Sequence, residues 1–106
     1  ESLLAAVTRE TLEESAYHFT PTHLIGIYRW HSPDSNTTYL RFAFTGNITG
    51  HEVNRPLDTG IIQALWLTPD EIRANQAHHR SPLILRCTED YLAGKRYPLE
   101  LITHYD

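Results

Sequence analysis

The chain is predicted to adopt an α/β fold, on three observations. Residues 1–17 (ESLLAAVTRETLEESAY) have helical apolar spacing, residues 23–30 and 38–45 read as β-strands, and Thr68-Pro69 and Ser81-Pro82 each open a further helix. Strands and helices mixed along one short chain imply a sheet layered against helices, with a core of modest size.

In the opening helix Ser2 is the expected cap, Leu3, Leu4 and Val7 form an apolar stripe, and Ala5 and Ala6 add propensity. Glu10, Glu13 and Glu14 stand at i, i+3 and i+4 and therefore share one face. Like charges at that spacing repel by roughly 0.2–0.5 kcal/mol per pair, so something must offset them. Arg9, beside Glu10 and four residues before Glu13, neutralises part of the cluster and can hold a carboxylate in place. A divalent cation would offset the rest. Carboxylates without Cys or His partners favour hard ions, Mg²⁺ or Mn²⁺, over zinc. A solvated helix face would show the same residues.

Thr20-Pro21 is expected to break the chain before the strand 23–30 (HLIGIYRW). Residues 31–37 (HSPDSNT) are turn formers, and 38–45 (TYLRFAFT) is the next strand, with Tyr39, Arg41 and Ala43 on one face; the two strands should form a hairpin. Arg29 and Arg41 can each offer a donor fork to a phosphate or pair with a neighbouring acid. Trp30 and Tyr39 can stack on a heterocyclic base or serve packing alone. Residues 46–60 are expected to be a polar, flexible loop, with Asp58 either a turn residue before Gly60 or an extra acidic contribution to a second metal or to water activation. Residues 61–67 (IIQALWL) should be a third strand.

Thr68, Pro69 and Glu71 spell a capping box with proline at the first helical position, and that helix should end near His78-His79. Adjacent histidines do not share a helix face, so they are not read as zinc ligands. A second helix, 82–93, should end at Gly94, with Cys87 inside its apolar stripe as packing. Lys95-Arg96-Tyr97-Pro98 suits either the rim of a cleft or a solvated tail.

Bulk properties narrow the classes. Nine basic against thirteen acidic residues give a net charge of −4, with no general attraction for nucleic acid or anionic membrane. No apolar run approaches a membrane span, and the lone Cys87 excludes an intrachain disulfide, which points to the cytoplasm.

Glu1, seven residues, then Arg9-Glu10-Thr11-Leu12-Glu13-Glu14-Ser15-Ala16 resembles the second half of the Nudix box. The departures are Thr11 for an aliphatic residue and Ala16 for glycine, the latter expected to alter the helix exit more than the chemistry. The glycine-containing loop that should precede Glu1 is not in the chain. The resemblance therefore implies that the first strands are missing and that residues 1–106 are the later part of one Nudix domain, with weak activity in this form.

Further resemblance to one branch of the family runs through Tyr28-Arg29-Trp30, Ser32-Pro33-Asp34, Trp66-Leu67, Arg80-Ser81-Pro82-Leu83 and Arg96-Tyr97-Pro98-Leu99-Glu100. It implies an α/β/α sandwich around a mixed sheet and a monomeric Mg²⁺-dependent hydrolase. Its substrates would be nucleoside di- and triphosphates and thiamin-pathway pyrophosphates, including hydroxymethylpyrimidine pyrophosphate and thiamin pyrophosphate, with release of phosphate. In that chemistry Glu10 and Glu14 are the main metal ligands. Glu13 is a further ligand or accepts the proton of attacking water, Arg9 orients the set, and Glu1 holds a metal-bound water. Gly60 and Ile62 stand where acids are expected, leaving Asp58 alone and a second metal site weakened. The alternative is a silent Nudix-like module that binds nucleotides through the arginines and aromatics.

Overall fold

The computed structural model describes residues 1–105. Helix α1 (Leu3–Ser15) starts where the sequence requires, the Ser2 hydroxyl accepting from the Ala5 amide at 3.1 Å. Thr8, Thr11 and Ser15 donate their hydroxyls back to carbonyls four residues earlier, so these polar side chains do not compete with the helix. The helix ends at Ala16, which adopts a left-handed φ of 66° and donates its amide to the Leu12 carbonyl at 2.9 Å. Glycine is the usual residue for that turn. Here a buried alanine methyl, 4% exposed, occupies it.

Strands β1 (Tyr17–Ser32) and β2 (Thr37–His51) form a long antiparallel ribbon, in register from Tyr17↔His51 to Ser32↔Thr37. Both extend beyond the expected bounds. Pro21 does not break β1: it sits opposite Gly46 at a register shift, where a missing amide donor costs no regular ladder bond. Gly46 permits this closeness, since a Cβ there would lie 2.0 Å from the Thr20 carbonyl oxygen. Residues 46–51, expected as loop, are therefore strand, and the irregular stretch begins at Glu52. The expected strand 61–67 is irregular backbone. No described segment pairs with it, and Ile62 is 96% exposed. Of a mixed sheet, the described residues form this one antiparallel pair.

The later helices follow their signals. Thr68 and Glu71 complete both halves of the capping box at the start of α2 (Pro69–Ala74), and a 3₁₀ turn continues to His78. Helix α3 (Leu83–Leu92) begins after Ser81, whose hydroxyl accepts from the Leu83 amide, and stops before Gly94 at φ 82°. Helices α1 and α3 both pack on β1. Tyr97 returns to pair with Leu24, the most deeply buried side chain, and the core gathers Ala16, Leu24, Ile25 and Leu83. Cys87 is half-buried, and burial raises its thiol pKa, as befits a packing residue.

Asp90 joins α3 to the ribbon. Its buried carboxylate accepts from Tyr28 Oη at 2.6 Å and Arg86 Nε at 3.1 Å, and pairs with Lys95 Nζ at 3.2 Å. The Tyr28 hydrogen bond, helped by the two cations, lowers its pKa from 3.8 to about 2. A depressed carboxylate contributes stability that is complete above its ordinary pKa and is lost as pH falls through the folded value.

Two predictions follow from these features. The unfolding free energy of the protein should fall between pH 3.8 and about 2, and Asp90→Asn should flatten that part of the profile in denaturant titrations. At the helix exit, Ala16→Gly should be near neutral, left-handed strain being relieved as one buried methyl is lost. Ala16→Val should cost about 2 kcal/mol, lowering the melting temperature by roughly 10 °C; an unchanged melting temperature would contradict the strained exit.

Candidate active site

The acidic face of α1 is organised by Arg9. Its Nε and Nη2 each donate to one oxygen of Glu1, both at 2.8 Å. Its Nη1 reaches both oxygens of Glu13, at 3.1 and 3.0 Å, while Glu10 lies 3.6 Å away. Arg9 can span these partners because Glu13 is one turn further along the helix and Glu1 lies just before it. Hydrogen bonds from Arg9 hold the Glu1 carboxyl below its usual range, and the two carboxylates raise the guanidinium pKa.

Glu14 is exposed and makes no hydrogen bond or ion pair to any described residue. Glu10 has only its long contact to Arg9. In this arrangement Arg9 occupies Glu13, and among the described residues no three carboxylate, His or Cys side chains gather closely enough to enclose a metal ion. What remains is a pair of carboxylates one helical turn apart, Glu10 and Glu14. That donor set fits a hard divalent ion that keeps most of its coordination sphere for water and phosphate oxygens.

The loop after β2 lies against the end of this helix. The Glu52 amide donates to the Ala16 carbonyl at 2.8 Å and the Asp58 amide to the Glu13 carbonyl at 3.0 Å. Asp58 is the turn residue of its two expected readings, its carbonyl accepting from the Ile61 amide at 3.0 Å, while its backbone amide ties the turn to the end of the acidic helix. Sequence reasoning missed Glu52 and His18, which meet at 2.6 Å beside Arg55, 3.3 Å from Glu52. The His18 hydrogen bond, then Arg55, lowers the Glu52 pKa. Also missed was the aromatic group at the start of the ribbon, where Tyr17 stacks on His51 at 4.0 Å and accepts from Trp66 Nε1 at 3.0 Å. A cavity of about 220 Å³ lies between this group and Thr11 and Ser15 of α1. Extending the strand reading through Gly50 would have set His18 and His51 beside each other's strands and exposed both clusters.

The residues expected to bind substrate sit elsewhere on the ribbon. Trp30 and Tyr39 pair across the strands next to the hairpin turn, with ring centroids 5.7 Å apart. Arg41 is opposite Tyr28 and close enough to Cys87 to act on its thiol, so it belongs to the α3 side. Arg29 is exposed and lines a cavity of about 480 Å³ with Tyr28 and Lys95. None of these four has a hydrogen bond, ion pair or ring contact with α1.

Comparison with known proteins defines the class. A solved NUDIX hydrolase from Nitrosomonas europaea is 51% identical, with a TM-score of 0.96 over 99% of this chain and 71% of that one. The chain belongs to the Nudix hydrolase family and is an enzyme of that class. Within the family it is similar to phosphatase NudJ from Escherichia coli strain K12, at 34% identity over 106 residues, the whole of this chain and 68% of that protein. Phosphatase NudJ from Shigella flexneri matches to the same extent. No family model matches the chain. Among the described residues no helix is long and apolar enough to cross a membrane.

The Arg9 bridge yields a stability prediction. Arg9→Gln should lower the melting temperature at low ionic strength by removing the cation that Glu1, Glu10 and Glu13 surround. The difference from the parent chain should shrink in about 1 M salt, where the screening length falls to ~3 Å. A difference independent of salt would show that Arg9 acts through packing instead.

Proposed function

We propose that residues 1–106 form a Nudix domain that hydrolyses phosphoanhydride bonds of nucleoside di- and triphosphates and of thiamin-pathway pyrophosphates, releasing phosphate with Mg²⁺, or Mn²⁺ in its place. The observation that carries the reading is the unpartnered Glu14 beside Glu10, on a helix whose neighbouring Glu13 and Glu1 are locked by Arg9. The similarity to phosphatase NudJ supports the phosphate-releasing outcome.

In this reading Glu10 and Glu14 hold the cation, and its remaining positions face water and the phosphates. When bound, such an ion shields phosphate oxygens and makes coordinated water more acidic. Glu13, fixed by two contacts from Arg9, is the residue that takes the proton from the attacking water, or a third ligand once Arg9 shifts. Glu1 fixes the other side of Arg9 and would hold a water in the outer shell of a bound ion. Asp58 contributes a further carboxylate at the helix end. Arg29 and Arg41 meet phosphates, and Trp30 with Tyr39 forms a ring-stacking surface. The protein acts as a cytoplasmic monomer on small molecules, with nucleic acid and membrane outside its range.

Glu14→Gln should reduce phosphate release from nucleoside triphosphate or thiamin pyrophosphate by at least ~100-fold. The fold should survive, because Glu14 is exposed and makes no bond that the change would remove. The assay is phosphate and pyrophosphate quantified separately across a substrate panel, with and without Mg²⁺. Metal-independent turnover, or an unimpaired Glu14→Gln enzyme, would contradict the assignment.

A further inference from the structure

Glu52 ties three segments together at the exit of α1. Its amide donates to the Ala16 carbonyl at 2.8 Å, and its own carbonyl accepts from the Arg55 amide at 3.0 Å. Its carboxylate is engaged at both oxygens, Oε2 by His18 Nε2 at 2.6 Å and Oε1 by Arg55 Nη1 at 3.3 Å. The loop that Glu52 opens is fastened to the helix again at its far end, where the Asp58 amide donates to the Glu13 carbonyl at 3.0 Å.

The strand register brings His18 to this place. His18 stands opposite Gly50, next to a bulge, and Glu52 follows two residues after Gly50 as the chain leaves β2. Side chains alternate along a strand, so positions two apart share a face, and a diagonal neighbour of this kind is within reach of a long side chain. Gly50 leaves the path open: the His18 ring lies 3.4 Å from where a Cβ would stand and crosses the strand toward Glu52.

Between its two fastenings the loop has little packing to fix its course. Val53, Asn54 and Pro56 are exposed, and Arg55 and Leu57 are only half-buried. The ends therefore decide where it runs. Hydrogen bonds to an ionised carboxylate are stronger than neutral ones, and the Glu52 carboxyl is held below its ordinary range by His18 first and then by Arg55. We propose that Glu52, gripped by His18 and Arg55, is a positioning residue: it pins the 52–58 loop to the exit of α1 and so sets where the Asp58 carboxylate stands relative to the Glu10–Glu14 edge. The inference deepens the proposed reading and rests on it for the role of Asp58 beside a bound ion; the pinning of the loop needs neither metal nor substrate.

Hydrogen exchange at single amides, followed by NMR without metal, tests the pinning. Glu52 is exposed and His18 only half-buried, so variants at both keep the fold. Glu52→Ala should speed exchange of the Asp58 amide about threefold to fivefold, the scale of a partly exposed ion pair, and leave α3 unmoved. His18→Ala should do the same. His18→Gln, whose side-chain nitrogen stands in for Nε2, should return exchange toward the parent rate. Substoichiometric Mn²⁺ then tests the positioning: in both alanine variants broadening at residues 10–14 should persist while that near Asp58 fades. The inference is overturned by unchanged Asp58 exchange in the alanine variants, by His18→Gln exchanging as fast as His18→Ala, by acceleration spread over the ribbon and α3, or by Mn²⁺ broadening centred on Glu52 itself. Faster Asp58 exchange in a chain whose residues 10–14 do not respond to Mn²⁺ would sink the metal reading and spare the pinning; broadening near Asp58 that survives both alanine variants would sink the positioning and spare the metal reading.

Discussion

Four carboxylates on and just before α1 crowd one face and repel one another, and a single guanidinium holds three of them in order. Arg9 engages Glu1 with two hydrogen bonds and Glu13 with two more, and it stands 3.6 Å from Glu10. One positive charge against four negative ones leaves the face strongly acidic. The excess is concentrated on Glu10 and Glu14, the two that Arg9 satisfies least or not at all. That imbalance is what makes a divalent cation a natural counter-charge here, and it explains why the residue types matter in combination. Separately, each is an ordinary surface residue, and exposed ion pairs contribute little to stability.

The ribbon determines what surrounds that helix. Because β1 begins directly after Ala16, the β1–β2 register decides which residue of the second strand returns to the helix end. The pairing Tyr17↔His51 brings Glu52 onto the Ala16 carbonyl and, a few residues later, Asp58 onto that of Glu13. Bulges near His18, Pro21 and Leu24 bend and twist the ribbon between these ends. A left-handed alanine at the junction, in place of the expected glycine, makes the turn stiffer without preventing it. Asp90, reaching Tyr28, Arg86 and Lys95 at once, fastens α3 to the same strand from its middle.

Much of this was legible in the sequence where local chemistry decides the outcome. Ser2, the Thr68–Glu71 box, Ser81-Pro82 and Gly94 each marked a boundary that the structure keeps within a residue or two, because caps and turns depend on neighbours in the chain. The hairpin and the face shared by Tyr39, Arg41 and Ala43 followed from alternation alone. What local chemistry does not decide was misread: Pro21 and Gly46 look like breaks singly, and only their pairing across the ribbon shows why each is tolerated. Residues 61–67 have strand-like composition, yet a strand exists only where a neighbour accepts its hydrogen bonds. At the site, the Arg9 pattern was readable from spacing. That Arg9 would occupy Glu13, and that His18 would meet Glu52, required the three-dimensional pairing.

The central claim is that the Glu10–Glu14 edge of α1 is where a hard cation sits. Paramagnetic broadening by substoichiometric Mn²⁺ reads that location directly, residue by residue, without reliance on turnover. The account predicts that amide signals vanish first around residues 10–14, then near Asp58, that excess Mg²⁺ restores them, and that Glu14→Gln abolishes the effect. Broadening centred on the histidines, or spread evenly over the acidic surface and indifferent to Mg²⁺, would contradict it.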